Sequence, residues 1–259
     1  MNMPVLTPEL AEAFILVFIR IIAIIALIPV FGDGTVPVMI KAGLALLIAL
    51  LLFPLVKSGI APFSDAGLPA FILKIAGELF IGISIGLTAR FIFAGIQLAG
   101  ELLGFQMGFS MASVVDPTSE IQVTIVTEFM YMASLLLFLA VNAHHIFISA
   151  IAESYQAINP MSSWQTGNLL SVMLRLSQEV FSIAIKISAP IMAVLLFTSV
   201  ALGVVARTVP QMNIFIVSFP LQISVGLLFL GMTAPIFAQL VPHFFAALPA
   251  KIGMLMRFL

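Results

Sequence analysis

Residues 68–104 read LPAFILKIAGELFIGISIGLTARFIFAGIQLAGELLG. The run is almost wholly apolar, yet it carries Lys74, Glu78, Arg90 and Glu101. As a helix it extends about 56 Å, where a bilayer core of about 30 Å needs about 20 residues. It is too long for one upright span and must tilt, break or leave the bilayer. The rest of the 259-residue chain has the same character. Apolar residues make up 62%, and ten basic and eleven acidic residues make up 8%. A soluble domain carries about 25% charged residues, so a free cytosolic enzyme is excluded as the default. The net charge of −1 gives no electrostatic case for nucleic acid. There is no cysteine, hence no thiolate nucleophile, disulfide or cysteine metal site.

Five further apolar runs flank this stretch. The first covers about 10–30, with Arg20 in its middle; acidic Glu9 and Glu12 in the N-terminal region argue against a cleaved signal and for a retained helix. The second runs from Lys41 to about 56, and the fourth from about 118 to 151. Asp116-Pro117 before the fourth reads as a helix start, with Asp116 as N-cap and Pro117 at the first helical position. The fifth, 169–206, is interrupted by Pro190, and the sixth, 214–248, contains Pro220, Pro235 and Pro242. The expected fold is an all-α membrane protein of long, kinked and broken helices in hairpins, with about six hydropathy segments. Loop charges, Lys41 and Arg207 against Lys57, Lys251 and Arg257, do not fix an orientation.

Arg20, Lys74, Glu78, Arg90, Glu101, Glu128 and Lys186 fall inside apolar runs. A charge at the bilayer centre costs about 2.5–3.5 kcal/mol on insertion scales, so seven isolated ones cost on the order of 20 kcal/mol. Most must therefore be paired, hydrated or outside the hydrocarbon. Lys74 and Glu78, spaced i,i+4, are expected to pair. Gly82 and Gly86, and again Gly100, Gly104 and Gly108, recur every fourth residue. That spacing allows close helix approach, either within the chain or against partner subunits. Arg90 continues the first of these faces and favours contact with protein over lipid.

The connection Phe105–Val115 reads FQMGFSMASVV and is too apolar for a solvated loop. Non-helical backbone at membrane depth must be buried in protein or line a cavity. Methionine and phenylalanine can form a deformable seal that excludes water, and a buried packing loop is the alternative. Catalytic motifs find no footing. Gly82-Ile83-Ser84-Ile85-Gly86 matches a nucleophile elbow by letter but lies mid-helix. His144 and His145 are adjacent and point to different faces, and Asp33, Asp65 and Asp116 all lie in turns.

Three clusters together resemble the FliR family of the flagellar type III export apparatus. They are Arg20 with Pro29-Val30-Phe31-Gly32, Pro37 and Lys41; Ala99 through Met111, closing with Asp116-Pro117; and Val209 through Phe215 with Phe219-Pro220 and Gly226. The virulence-secretion homologues are similar in plan, and the Gln106–Ser110 and Pro210–Phe215 stretches look more like the flagellar branch. The resemblance implies a non-enzymatic subunit without cofactors, in the bacterial inner membrane at the flagellar basal body. It implies an export gate built with FliP and FliQ and completed by FlhB and FlhA, a conical channel for unfolded flagellar proteins that is largely lifted out of the membrane plane. It also implies a FliP-like part over 1–170 and a FliQ-like hairpin over 171–259, in one integrated unit. The connection 105–115 matches the family's pore plug, which makes Phe105, Met107, Phe109 and Met111 its candidates. The subunit-packing candidates are Gly82, Gly86, Arg90, Gly100, Glu101, Gly104 and Gly108, and the buried-charge candidates are Arg20, Lys74, Glu78, Glu128 and Lys186. From another class, broken helices and intramembrane charges also fit a secondary transporter of a small solute.

Overall fold

A computed structural model describes residues 8–32, 36–56, 67–109, 124–157, 166–209, 211 and 213–257. Among these the regular structure is all helical. The helices are α1 (Pro8–Leu27), α2 (Pro29–Gly32), α3 (Val38–Val56), α4 (Gly67–Gln106), α5 (Ile125–Ala140), α6 (Ala143–Ala157), α7 (Thr166–Thr208), α8 (Ile214–Ala246) and α9 (Leu248–Met256). Five of them are long and apolar enough to cross a membrane, or up to six spans if the bent pair α5–α6 counts as one.

The 68–104 run does not break. α4 is one continuous helix of 40 residues. The expected interruption at Pro190 is also absent, because α7 passes through it, and α8 passes through Pro220, Pro235 and Pro242. A proline removes one helical hydrogen bond, whereas a broken helix strands several backbone groups that an apolar setting cannot satisfy. The fourth run does break, at Val141-Asn142, where α5 and α6 meet at a bend of 65°. Asn142 has φ of 54°, a left-handed conformation that asparagine tolerates better than most residues. Asp116-Pro117 lies outside the described residues. α5 begins at Ile125 with Thr124 as N-cap, its side chain accepting from the Thr127 N–H.

The chain forms two compact units. Unit 1 comprises 1–91, 142–176 and 246–259, and unit 2 comprises 92–141 and 177–245. Each unit draws on segments from both sides of residue 170. In unit 1, α3 packs on α1, with Phe14 and Phe53 edge to face at 5.5 Å. Ile21 and Ile24 of α1, Ile85 of α4 and Ile252 of α9 are fully buried in it. Unit 2 centres on Phe93 of α4, Phe138 of α5 and Phe245 of α8. Their ring centroids lie 5.7 Å (Phe93–Phe138), 5.3 Å (Phe93–Phe245) and 5.1 Å (Phe138–Phe245) apart. Aromatic pairs in this range add about 0.5–1.5 kcal/mol beyond area burial.

Candidate functional site

The charge cluster lies in unit 1. Arg20 is 0% and Glu78 2% exposed. Arg20 donates from Nε and Nη2 to the two Glu78 carboxylate oxygens, a bidentate pair. Its Nη1 donates to Ser154 Oγ at 2.9 Å, and its guanidinium lies 3.9 Å from the Tyr155 ring centroid. The Tyr155 hydroxyl in turn donates to the Val17 carbonyl at 3.1 Å. α1, α4 and α6 are thus tied at one point. Both Glu78 oxygens accept from Arg20, a partner 58 positions away that the local Lys74–Glu78 spacing did not point to. The planar guanidinium supplies two parallel donors that a lysine cannot.

Two other buried-charge candidates are not buried. Glu128 is exposed in the first turn of α5, where the helix dipole favours a negative charge. Lys186 is exposed beside an apolar groove of about 380 Å³ in unit 2, which Pro190, Phe129 and Phe237 also line. Lys74 is half-buried.

The glycine faces are filled from within the chain. A Cβ on Gly82 would meet the Ala23 Cβ and the Arg20 carbonyl of α1 at 2.7 Å, and one on Gly86 would meet the Leu27 Cβ at 2.7 Å. In unit 2, Gly100 lies against Thr127 and Gly104 against Thr124, with clearances of 2.6 and 2.5 Å for an added Cβ. These glycines serve as seats for α1 and α5, so of the two expected uses of close approach, within the chain or against partner subunits, the first is present at these positions. Arg90 and Glu101 are exposed, so of this group they remain open to a partner.

The end of α4 carries the candidate seal. The Phe109 N–H bonds the Gly104 carbonyl and the Gly108 N–H bonds the Phe105 carbonyl, both at 3.0 Å, while Gly108 has φ of 88°. This is a Schellman ending with Gly108 as the left-handed residue. Gly108 also lies against the Phe219 ring, where an added Cβ would come within 2.8 Å of Cδ1. Met107 is 0% exposed and lies against Gly226, so it packs in the core of unit 2 and does not face outward as a seal residue would. Phe109 is half-buried and Phe105 is 70% exposed, on the same α4 face as exposed Glu101. Met111 lies outside the described residues. Close by, Gln222 Nε2 donates to Ser199 Oγ at 3.2 Å.

The far end of the connection returns to the same place. Thr124 packs on Gly104, four residues before the left-handed Gly108, and its hydroxyl lies 2.8 Å from that of Thr127. Both ends of the 109–124 connection are therefore anchored on the last turn of α4. Sequence reasoning missed Thr124, Phe219 and Gly226 as its anchors. The threonines sit at the helix start, and only the paired glycines hinted that something must fill them.

The motif residues thus meet across the sequence. Met107 and Gly108 contact Gly226 and Phe219, while Arg20 holds Glu78 and Lys41 Nζ donates to the Gly32 carbonyl at 3.0 Å. Ser84 is buried mid-helix and its carbonyl accepts from Thr88 Oγ1, so the strained turn of a nucleophile elbow is absent there. His144 and His145 contact edge to face at 4.3 Å, and among the described residues no three metal-ligating side chains cluster.

Comparison with known proteins agrees with these motifs. The family described as bacterial export proteins, family 1, matches residues 11–248. The flagellar biosynthetic protein FliR of Bacillus subtilis (strain 168) is 36% identical over 225 residues, 86% of each chain. The protein of the same name in Escherichia coli (strain K12) is 31% identical over 229 residues, 88% of this chain and 86% of that one. That of Aquifex aeolicus (strain VF5) is 28% identical over 233 residues, 90% of this chain and 89% of that one. The chain therefore belongs to family 1 of the bacterial export proteins, the FliR family, as a multi-pass membrane subunit of the flagellar export apparatus.

Proposed function

We propose that the chain is a non-enzymatic subunit of the export gate in the bacterial inner membrane. With FliP and FliQ it forms the channel for unfolded flagellar proteins, and FlhB and FlhA complete the apparatus. Its part over 1–170 corresponds to FliP and its part over 171–259 to FliQ. The apolar connection 105–115 seals the closed pore. The single observation that supports the seal is that Phe109, where α4 ends, and Thr124, where α5 begins, both stand at the last turn of α4, so the stretch that includes 110–115 starts and finishes at one place. A seal needs a fixed base, and Gly104 and Gly108 at the end of α4 with Thr124 at the start of α5 supply one. The competing transporter reading rested on helices broken at prolines and on intramembrane charges; α7 and α8 are continuous through their prolines, which removes the first of these supports.

The test shortens the connection. Removing Met107–Ser113 is a poor choice, because Met107 and Gly108 build the core and the turn. Removing Ser110–Ser113 leaves both anchors in place. We expect ion leakage across the membrane of cells expressing the gate, with normal co-purification of FliP and FliQ. Unchanged conductance in an assembled complex would sink the seal, and absence of those partners from the purified complex would sink the gate.

A further inference from the structure

Unit 1 contains a cavity of about 620 Å³ between the start of α7 and α9, lined by Ser171, Arg175, Ala250, Gly253, Met254 and Arg257 among others. Both arginines are exposed. Among the described residues no carboxylate lines the cavity, and neither arginine side chain bonds or pairs with any of them. Two guanidiniums facing one concavity without a counter-charge suit an anion that accepts from both, and phosphate oxygens match the planar fork of arginine.

We infer that this cavity binds a phosphate group, with Arg175 and Arg257 clamping its oxygens. The place of the two arginines along the chain favours the phosphate of an anionic phospholipid. The candidate span Leu170–Thr208 begins five residues before Arg175, and the candidate span Ile216–Met256 ends one residue before Arg257. Both guanidiniums therefore sit where an apolar run begins or ends, a place a polar headgroup can reach from the edge of the hydrocarbon. α9 buries Leu248, Ile252, Leu255 and Met256 on one face and brings Gly253 and Arg257 to the cavity with the other. Basic pockets between membrane helices at such a level bind anionic headgroups. The glycine at 253 has nothing within 4 Å of an added Cβ, so the floor of the cavity has room.

The test uses the full chain purified in detergent micelles. Three probes are added separately: dioleoylphosphatidylglycerol, dioleoylphosphatidylcholine and inorganic phosphate. Native mass spectrometry counts retained lipid, and thermal unfolding reads protection. We expect the wild type to retain phosphatidylglycerol at least about 10-fold over phosphatidylcholine, since each lost charge-assisted pair weakens binding about tenfold. R175Q/R257Q should fall to the phosphatidylcholine level. R175K/R257K, which keeps the charge and loses the fork, should fall between them and serves if the glutamine pair misfolds. Protection by inorganic phosphate equal to that by phosphatidylglycerol, and lost in R175Q/R257Q, supports the phosphate site and makes free phosphate the source. The inference is overturned if the double glutamine variant retains phosphatidylglycerol within twofold of wild type. It is also overturned if neither probe binds, or if an acidic segment of a co-purified protein crosslinks to position 257 in place of lipid.

Discussion

Glu78→Ala should be the most damaging single change in unit 1, and its cost follows from the cluster around Arg20. The substitution removes two charge-assisted hydrogen bonds from a guanidinium that is 0% exposed. Charge-assisted bonds are each worth about 1.5–3 kcal/mol net, and breaking a buried pair from one side costs about 3–5 kcal/mol. Ser154 Oγ and the Tyr155 ring stay behind as residual partners, which favours the lower half of that range. The expected loss is therefore about 3–4 kcal/mol, measured by equilibrium unfolding in mixed micelles. The double variant Arg20→Met/Glu78→Leu removes both charges and keeps similar volume. Replacing a buried pair by apolar residues is often neutral or stabilising by about 1–4 kcal/mol, so the double variant should recover most of the loss. Glu78→Gln keeps one acceptor and should lie between wild type and alanine. If alanine costs under about 1 kcal/mol, or if the double variant is as unstable as the single, the cluster does not act as a charge pair whose partners need one another.

Gly108→Ala should destabilise by about 1–2 kcal/mol, because the left-handed turn disfavours a Cβ and Phe219 occupies its space. Adding Phe219→Ala should relieve the clash only, so a residual loss in the pair, read by thermal unfolding, isolates the backbone term. Gly104→Val should push Thr124 away and move one anchor of the seal; we expect reduced swimming in soft agar at normal protein level. Asn142→Gly should be neutral or stabilising, and Asn142→Val should cost about 1 kcal/mol or more, which circular-dichroism melting can read. Arg90→Glu and Glu101→Lys, both on exposed positions, should reduce co-purification with FliP or FliQ while leaving the chain's own melting unchanged.

What could be read in advance divides by the range of the interaction. The helical class followed from composition, since an apolar chain with so few charges can satisfy its backbone in lipid or in an apolar assembly only by helix. That same constraint explains the errors at Pro190, Pro220 and Pro235. They looked like breaks by soluble-protein rules, but the surroundings that make the chain apolar also make a broken helix expensive. Asn142 was the reverse case. It breaks an apolar run without proline or glycine, and only its tolerance of positive φ marked it. The charges show a different limit. Lys74 and Glu78 satisfied a local rule worth about 0.2–0.5 kcal/mol. Arg20, 58 positions away, offers Glu78 a bidentate buried partner worth several times that, and no periodicity connects the two. The glycines carry the same lesson in packing. Spacing told that Gly100 and Gly104 needed close neighbours but not whose; the structure supplies Thr127 and Thr124 of the same chain. Once those threonines are seated, residues 109 and 124 leave and return at one place. A fixed base of that kind is what the proposed seal needs, and the glycine spacing alone could not have shown it.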